Sequence, residues 1–551
     1  MTSAFPAIDQ LSLAAQVAQM VVVRASGHLF DQQIRYPVWE ANQATLSHYL
    51  QDLGVGGVIL LGGSAAEVGI KTQTLQEQAN LPLLLAADIE EGVGQRFGGA
   101  TQFPPPMALA TIAEHDYPAA CRYAEAMGRV TAMEARAIGL NWLLAPVVDV
   151  NNNPDNPVIN VRAFGATPTL VSSLAAAFVR GAGAEAVLTT AKHFPGHGDT
   201  SVDSHLQLPH LPHSLERLRQ VELPPFEAAI AAGVDAVMTA HLQIPALDPS
   251  YPATLSFPTL TGLLRQQLGF AGLIVTDALV MGAISQCYGP DEAAVLAVEA
   301  GADILLMPSD PEGCILALAD AVKTGRLPQE RIVRSVERIW RAKHRVACPL
   351  SAATASSHAW EQRPPPALSI DQLAQPQAQA VATAMLNASM VQRGTVPHCS
   401  AAIPGDNLIF VDDVLACPHL HPDCPAVSLP AQRHYGLRLI DQRGCQQWPQ
   451  RDRLRPTLIQ AFIRGNPFRG SAAAGELLFS WVDQLLAATL LRGVVIYGSP
   501  YVLAELSDRL PSTLPCGFTY GQMETAQQLL LNRLGLSLQP SDRPDPGGFT
   551  D

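Results

Sequence analysis

Residues 191 to 205 read Ala-Lys-His-Phe-Pro-Gly-His-Gly-Asp-Thr-Ser-Val-Asp-Ser-His: one lysine, three histidines and two aspartates in fifteen residues. Asp203 and His205 stand two positions apart, so in an extended segment their side chains share a face. A carboxylate beside an imidazole fixes its tautomer and raises its basicity, which is an acid–base device. The plainer alternative is a solvated loop rich in histidine. A second carboxylate, Asp277, closes the apolar run Leu-Ile-Val-Thr that begins at Leu273. An acid in that place either caps the next helix or faces a pocket as a nucleophile. With Asp277 attacking and His205 moving the proton, the pair would suit a double displacement.

Further candidates flank these. Asp88-Ile-Glu90-Glu91-Gly92-Val93-Gly-Gln-Arg96 offers carboxylates that can accept hydrogen bonds from neighbouring hydroxyls. Glu90 and Glu91 also read as solvated loop charges or as partners for Arg96. Arg162 follows the Asn- and Pro-rich stretch 151–157 and suits a structural or a ligand-binding role equally. His193, His197, Asp199, Asp203 and His205 supply enough ligands for a metal, but position 23–26 reads Val-Arg-Ala-Ser, without the His-x-His pair of metal-dependent barrel hydrolases. No metal or cofactor is expected. Cys417-Pro-His419-Leu-His421-Pro-Asp423-Cys424 has no second half of a zinc motif and reads as a surface loop.

These residues need a scaffold that brings distant segments to one rim. Apolar runs at 17–23, 55–61, 83–87, 141–148, 186–190, 234–239, 272–276 and 302–307 alternate with helical periodicity, as at 117–138, 169–182, 224–232, 259–268 and 291–300. Eight such units predict an α/β fold, an N-terminal TIM-like (β/α)8 barrel over residues 1–345; the same alternation also fits a doubly wound open sheet. In the barrel reading, Asp88 and Glu90 follow the third strand, Asp149 the fourth, Lys192 and His193 the fifth, His241 the sixth, Asp277 the seventh and Asp310 the eighth. Charged residues therefore collect at the face where such barrels do chemistry. Residues 346–370, rich in Ala, Ser and Pro, read as a linker. A second, smaller C-terminal α/β open-sheet domain is expected over 371–540, with strands at 407–411, 437–439, 458–463 and 494–497, and 541–551 reads as a disordered tail.

The bulk numbers narrow the class. The 551 residues carry a net charge of −14 and 48% hydrophobic residues, with no basic run, so nucleic acid and anionic membrane are not expected partners. The apolar stretch 485–497 is interrupted by Arg492 and is too short to span a bilayer. The first basic residue is Arg24, a layout unlike a secretory signal. Nine scattered cysteines without CxxC suit reduced thiols, and a cytoplasmic location is expected. Phosphate-binding, dinucleotide and GxSxG motifs are absent.

The segment from Lys192 to Thr200 followed by Asp203-Ser204-His205 resembles the signature of glycoside hydrolase family 3, in its β-N-acetylglucosaminidase branch. Thr276-Asp277-Ala-Leu-Val-Met281 resembles that family's nucleophile segment, and Asp88-x-Glu90-x-Gly92…Gln95-Arg96-Phe97 its substrate-binding segment. The resemblance covers residues 8–345 strongly. It implies an exo-acting, retaining β-N-acetylhexosaminidase without cofactor, taking terminal N-acetylglucosamine from muropeptide or chitooligosaccharide fragments. Asp277 would be the nucleophile, His205 the acid/base and Asp203 its partner. Asp88, Arg96, Arg162, Lys192 and His193 would bind the terminal sugar, with His241 lining the same pocket. A histidine avoids placing a second anion beside the nucleophile, and it would repel an anionic acceptor less than glutamate, which admits phosphorolysis. The chain departs from the family pattern at Glu91 and Val93, and the side chain at 91 could narrow or recharge the pocket rim. A β-glucosidase or β-xylosidase of the same family, or an inactive carbohydrate-binding barrel, are the rival readings.

Overall fold

The computed structural model describes residues 5–204, 206–346, 367–441, 455–464 and 472–537. They fall into two compact units, Met1–Ala382 and Thr383–Asp551. The first unit contains eight parallel strands: β1 (Val21–Ser26), β2 (Gly57–Leu61), β3 (Leu84–Ala87), β4 (Trp142–Leu143), β5 (Thr190–Phe194), β6 (Ala236–Thr239), β7 (Leu273–Val275) and β8 (Leu305–Leu306). One sheet runs β4-β3-β2-β1-β8 and another β5-β6-β7. Single parallel bridges, Trp142 to Leu188 and Val275 to Ile304, join the two sheets into a ring. The strands are buried almost throughout, as parallel strands covered by helices must be. This is the TIM-like barrel, and the doubly wound alternative fails on strand order.

The helices expected from periodicity form at Tyr117–Ala137, Pro168–Ala182, Pro224–Ala231, Pro258–Gln267 and Pro290–Ala300, the fourth with π-type bonding. Two strands sit elsewhere than expected. The run 17–23 begins in a helix, Leu13–Ala18, whose first turn is capped where Ser12 Oγ accepts from Ala15 N at 3.2 Å; β1 starts only at Val21. A buried helix end and a buried strand both read as apolar. The fifth strand lies four residues later than expected, so Lys192 and His193 are on β5 itself. Their polarity disguised a strand whose residues are all buried.

At the opposite end from the charged rim, Asp303 precedes β8 and is fully buried. It pairs with Arg265 at 2.7 Å, Arg338 at 3.0 Å and Arg331 at 3.4 Å, and accepts from Ser335 Oγ at 2.7 Å. These contacts tie the start of β8 to the helix Gln329–Val346.

The second unit holds β9 (Val391–Arg393), β10 (Gly405–Val411), β11 (Tyr435–Ile440), β12 (Thr457–Ile463), β13 (Leu491–Gly498) and β14 (Cys516–Thr519). They form one open sheet in the order β11-β10-β12-β13-β14-β9, parallel except where β9 meets β14. Ile409, Leu458, Val495 and Leu530 fill its core. Within that core Gln460 donates to Asn407 Oδ1 at 2.7 Å and accepts from Tyr497 OH at 2.8 Å, so the buried polar groups answer one another. Strands β9 and β14 escaped the sequence reading because each is only three or four residues long. In the 417–424 loop, Cys424 is fully buried and His421 Nε2 lies 2.9 Å from Glu524. Most of the expected linker and all of the expected tail lie outside the described residues. Among those described, no helix is long and apolar enough to cross a membrane.

Candidate active site

The rim where β3, β4 and β5 end carries a chain of four opposed charges. Lys192 Nζ lies 2.7 Å from both Asp88 Oδ1 and Glu90 Oε1. Arg162 Nε and Nη2 donate to the two oxygens of Glu90, each at 2.8 Å, a bidentate pair. The Lys192 and Glu90 side chains are 2% and 4% exposed. Burial alone would discharge Lys192, but Asp88 and Glu90 outweigh it and hold the ammonium above its ordinary range. Burial acts on Glu90 too, and Arg162 and Lys192 reverse it, keeping that carboxyl well below the usual carboxylate range. Arg162 is likewise raised, by Glu90 against burial. All three are charged at neutral pH. Arg96 is exposed at the mouth, and its Nε donates to the Asp88 carbonyl at 3.0 Å.

Asp149, buried at the end of the β4 segment, organises the next group. It lies 2.7 Å from His193 Nδ1 and accepts from the His197 backbone N–H at 2.7 Å. His197 is engaged at both ring nitrogens, Nδ1 with Thr200 Oγ1 at 2.8 Å and Nε2 with Ser204 Oγ at 3.0 Å. Burial pushes its pKa down to about 4, against the opposing fields of Asp149 and Asp277, so the ring is neutral. It therefore ties Thr200 to Ser204, next to Asp203, which is buried. His205 itself lies outside the described residues.

Asp277 is half-buried at the end of β7. Its backbone N–H donates to Thr239 Oγ1 at 3.3 Å and its Oδ1 accepts from Ala278 N at 2.8 Å. The next helix, Gly282–Ser285, has Met281 at its cap, so Asp277 is not a helix cap. His241 is fully buried, with Nδ1 2.8 Å from Thr254 Oγ1 and Nε2 3.1 Å from the Ala278 carbonyl. It supports the turn after Asp277.

The structure thus joins Asp88, Arg96, Lys192 and Arg162 in one group, and Asp277 with His241 in another. Three residues count for more than the sequence indicated: Glu90, Asp149 and His197. Glu90 pairs with Arg162, 72 positions away, rather than with Arg96. Glu91 is fully buried, not a solvated charge, and so is Val93; neither reaches the rim. The metal alternative loses one of its ligands, since both ring nitrogens of His197 are committed to Thr200 and Ser204. Among the described residues Asp199, His213 and Glu222 also converge. There Arg217 already bridges Asp199 at 3.4 Å and Glu222 at 3.0 Å, and supplies the positive charge.

Comparison with known proteins agrees with this architecture. Residues 12–342 match the glycosyl hydrolase family 3 N-terminal domain, and residues 400–535 match the bacterial glycosyl hydrolase family 3 C-terminal domain. Beta-hexosaminidase A of Pseudoalteromonas piscicida is 39% identical over 341 residues, 56% of either chain. The beta-N-acetylglucosaminidase/beta-glucosidase of Cellulomonas fimi is 34% identical over 304 residues, 53% of either chain. The chain thus spans about half the length of these two relatives. A glycoside hydrolase family 3 beta-N-acetylglucosaminidase from Paenibacillus sp. str. FPU-7 superposes with a TM-score of 0.74 at 31% identity, covering 95% of this chain and 96% of that one.

Proposed function

We propose that this chain, which belongs to glycosyl hydrolase family 3, is an exo-acting, retaining β-N-acetylhexosaminidase that removes terminal β-linked N-acetylglucosamine. The observation that carries this reading is the half-buried Asp277 carboxylate on the same barrel rim as the ion-paired Asp88, Lys192 and Arg162. In the proposed mechanism Asp277 attacks the anomeric carbon and forms a covalent glycosyl-enzyme. His205, with Asp203 as its partner, protonates the leaving oxygen and then takes a proton from the incoming water. Asp88, Arg96 and Arg162 bind the sugar hydroxyls. Lys192, 2.7 Å from Asp88 Oδ1, aims that carboxylate, and His193 presents its Nε2 to the sugar while Asp149 holds its Nδ1. The names of the Pseudoalteromonas, Cellulomonas and Paenibacillus relatives support the sugar. The Cellulomonas name also covers beta-glucosidase, which favours glucosides as secondary substrates. Seven described cysteines are free thiols, in keeping with a cytoplasmic setting.

The test is hydrolysis of matched chromogenic β-N-acetylglucosaminide and β-glucoside. The N-acetylglucosaminide should be cleaved faster, and Asp277→Asn should lower kcat by at least ~10³-fold. His205→Ala should fail most on poor leaving groups. Cleavage that survives in Asp277→Asn would remove the nucleophile assignment.

A further inference from the structure

Asn156 stands between the loop that leads to Arg162 and the His-rich segment, and it is buried. Its Oδ1 accepts from the backbone N–H groups of Val158 at 2.9 Å and Ile159 at 2.8 Å. Its Nδ2 donates across to the carbonyls of His197 at 2.8 Å and Gly198 at 3.0 Å, with Thr200 Oγ1 at 3.4 Å. Two N–H groups on one side and two carbonyls on the other leave the amide a single orientation. Both of its donor hydrogens and both acceptor positions are thereby taken by the chain itself. Each half of this clamp continues to a residue of the proposed mechanism. On the accepting side, the Val158 carbonyl takes a hydrogen bond from Arg162 Nη1 at 2.9 Å. On the donating side, the His197 ring bridges Thr200 and Ser204, and Ser204 stands in the chain between Asp203 and His205. Thr200, Asp203 and Ser204 are all buried. Without Asn156 two buried carbonyls lose their donor, and the segment must shift until another group or water answers them.

Taking His205 and Asp203 as the acid/base pair, on which this inference rests, we propose that Asn156 is a positioning residue for proton transfer. It clamps the stem His197–Thr200 to the loop of Arg162 and, through the His197 ring, sets where Asp203 and His205 stand. An acid must lie within hydrogen-bond reach of the oxygen it protonates, and a misplacement of about 1 Å costs ~10²-fold in rate. Asn156→Asp separates the two halves of the clamp. An aspartate keeps one oxygen for the Val158 and Ile159 N–H groups, so Arg162 keeps its support. Its second oxygen faces the carbonyls of His197 and Gly198, acceptor against acceptor, and pushes the stem away.

The experiment measures kcat and KM of wild type, Asn156→Asp and His205→Ala on two β-N-acetylglucosaminides that share the sugar and differ in the leaving group. Dinitrophenolate departs without a proton, whereas phenolate needs its oxygen protonated as the bond breaks. The loss of kcat/KM in Asn156→Asp should be at least about tenfold greater on the phenyl donor than on the dinitrophenyl donor, in the same direction as in His205→Ala. Equal losses on both donors, a rise in KM alone, or no loss would overturn the proposal, because support of the sugar pocket or of the fold affects both donors alike. If Asn156→Asp does not fold, Asn156→Ser, smaller and uncharged, is put through the same comparison. Failure of both to fold would make the residue structural and overturn the proposal. A His205→Ala variant that treats the two donors alike would instead overturn the acid/base reading, and the role of Asn156 with it.

Discussion

Glu90 takes hydrogen bonds from two cations, Arg162 bidentate and Lys192 at 2.7 Å, with 4% of its side chain exposed. Neutralising it strands both partners in a buried place. Glu90→Gln should therefore lower unfolding stability by roughly 3 kcal/mol, since breaking one side of a buried pair leaves uncompensated charge. Thermal unfolding reads that loss, and a raised KM for the N-acetylglucosaminide would show that Arg162 had shifted. The position of Asp277 after its strand was legible in the sequence, because the apolar run that it closes is short and continuous. For Glu90 the sequence leaves a solvated charge and a pair with Arg96 both open, because local spacing offers Arg96 while the real partner arrives from 72 positions away. Likewise the burial of Glu91 depends on the return of the chain at Phe103, whose N–H donates to the Glu91 carbonyl; no local pattern announces that.

Helices were easier to find than to pack. The periodicity gives Tyr117–Ala137 and Pro168–Ala182 almost to the residue, yet says nothing of how closely they approach. That distance is set by glycine. A Cβ on Gly181 would lie 1.9 Å from the Glu125 carbonyl oxygen, and one on Gly128 would lie 2.2 Å from the Phe178 carbonyl oxygen. Alanine gains about 1 kcal/mol over glycine in helix propensity, but separating two backbones in a packed layer costs more, typically 1–3 kcal/mol and at times beyond. Gly181→Ala should therefore be a net loss of about 1–2 kcal/mol in urea unfolding. An unchanged or raised midpoint would mean that the helix pair can slide apart freely. Strand edges were the weaker part of the sequence reading. β1 merged with the helix before it, and β5 hid behind its own polar residues, whose partners lie in the loops after β3 and β4.

At the scale of the barrel unit, the order of eight strands followed from simple alternation, but the contacts that close the ring did not. Lys343 is the clearest case. It is 1% exposed in the final helix, and its Nζ donates to Gln19 Oε1 at 2.7 Å, 324 positions earlier. Burial lowers its pKa to about 7 from 10.5. Between those values the unfolded chain holds more protons than the folded one, so this group makes stability rise with pH. Its full cost, a few kcal/mol, falls below pH 7 and is gone above about pH 10.5. Lys343→Met should raise the Tm most at or below pH 7, with the gap over wild type closing toward pH 10; a pH-independent difference would contradict the assignment. The ring has one more consequence. Val21 and Val22 of β1 pair with Leu305 and Leu306 of β8, and Trp340 Nε1 donates to the Pro6 carbonyl. A ribosome delivering this chain must therefore expose an open sheet edge at β1 until more than three hundred residues have emerged, and Asp303 waits longer still for Arg338. Closure is an event of late synthesis, and until then the nascent chain has to be kept from pairing its open edges with those of its neighbours.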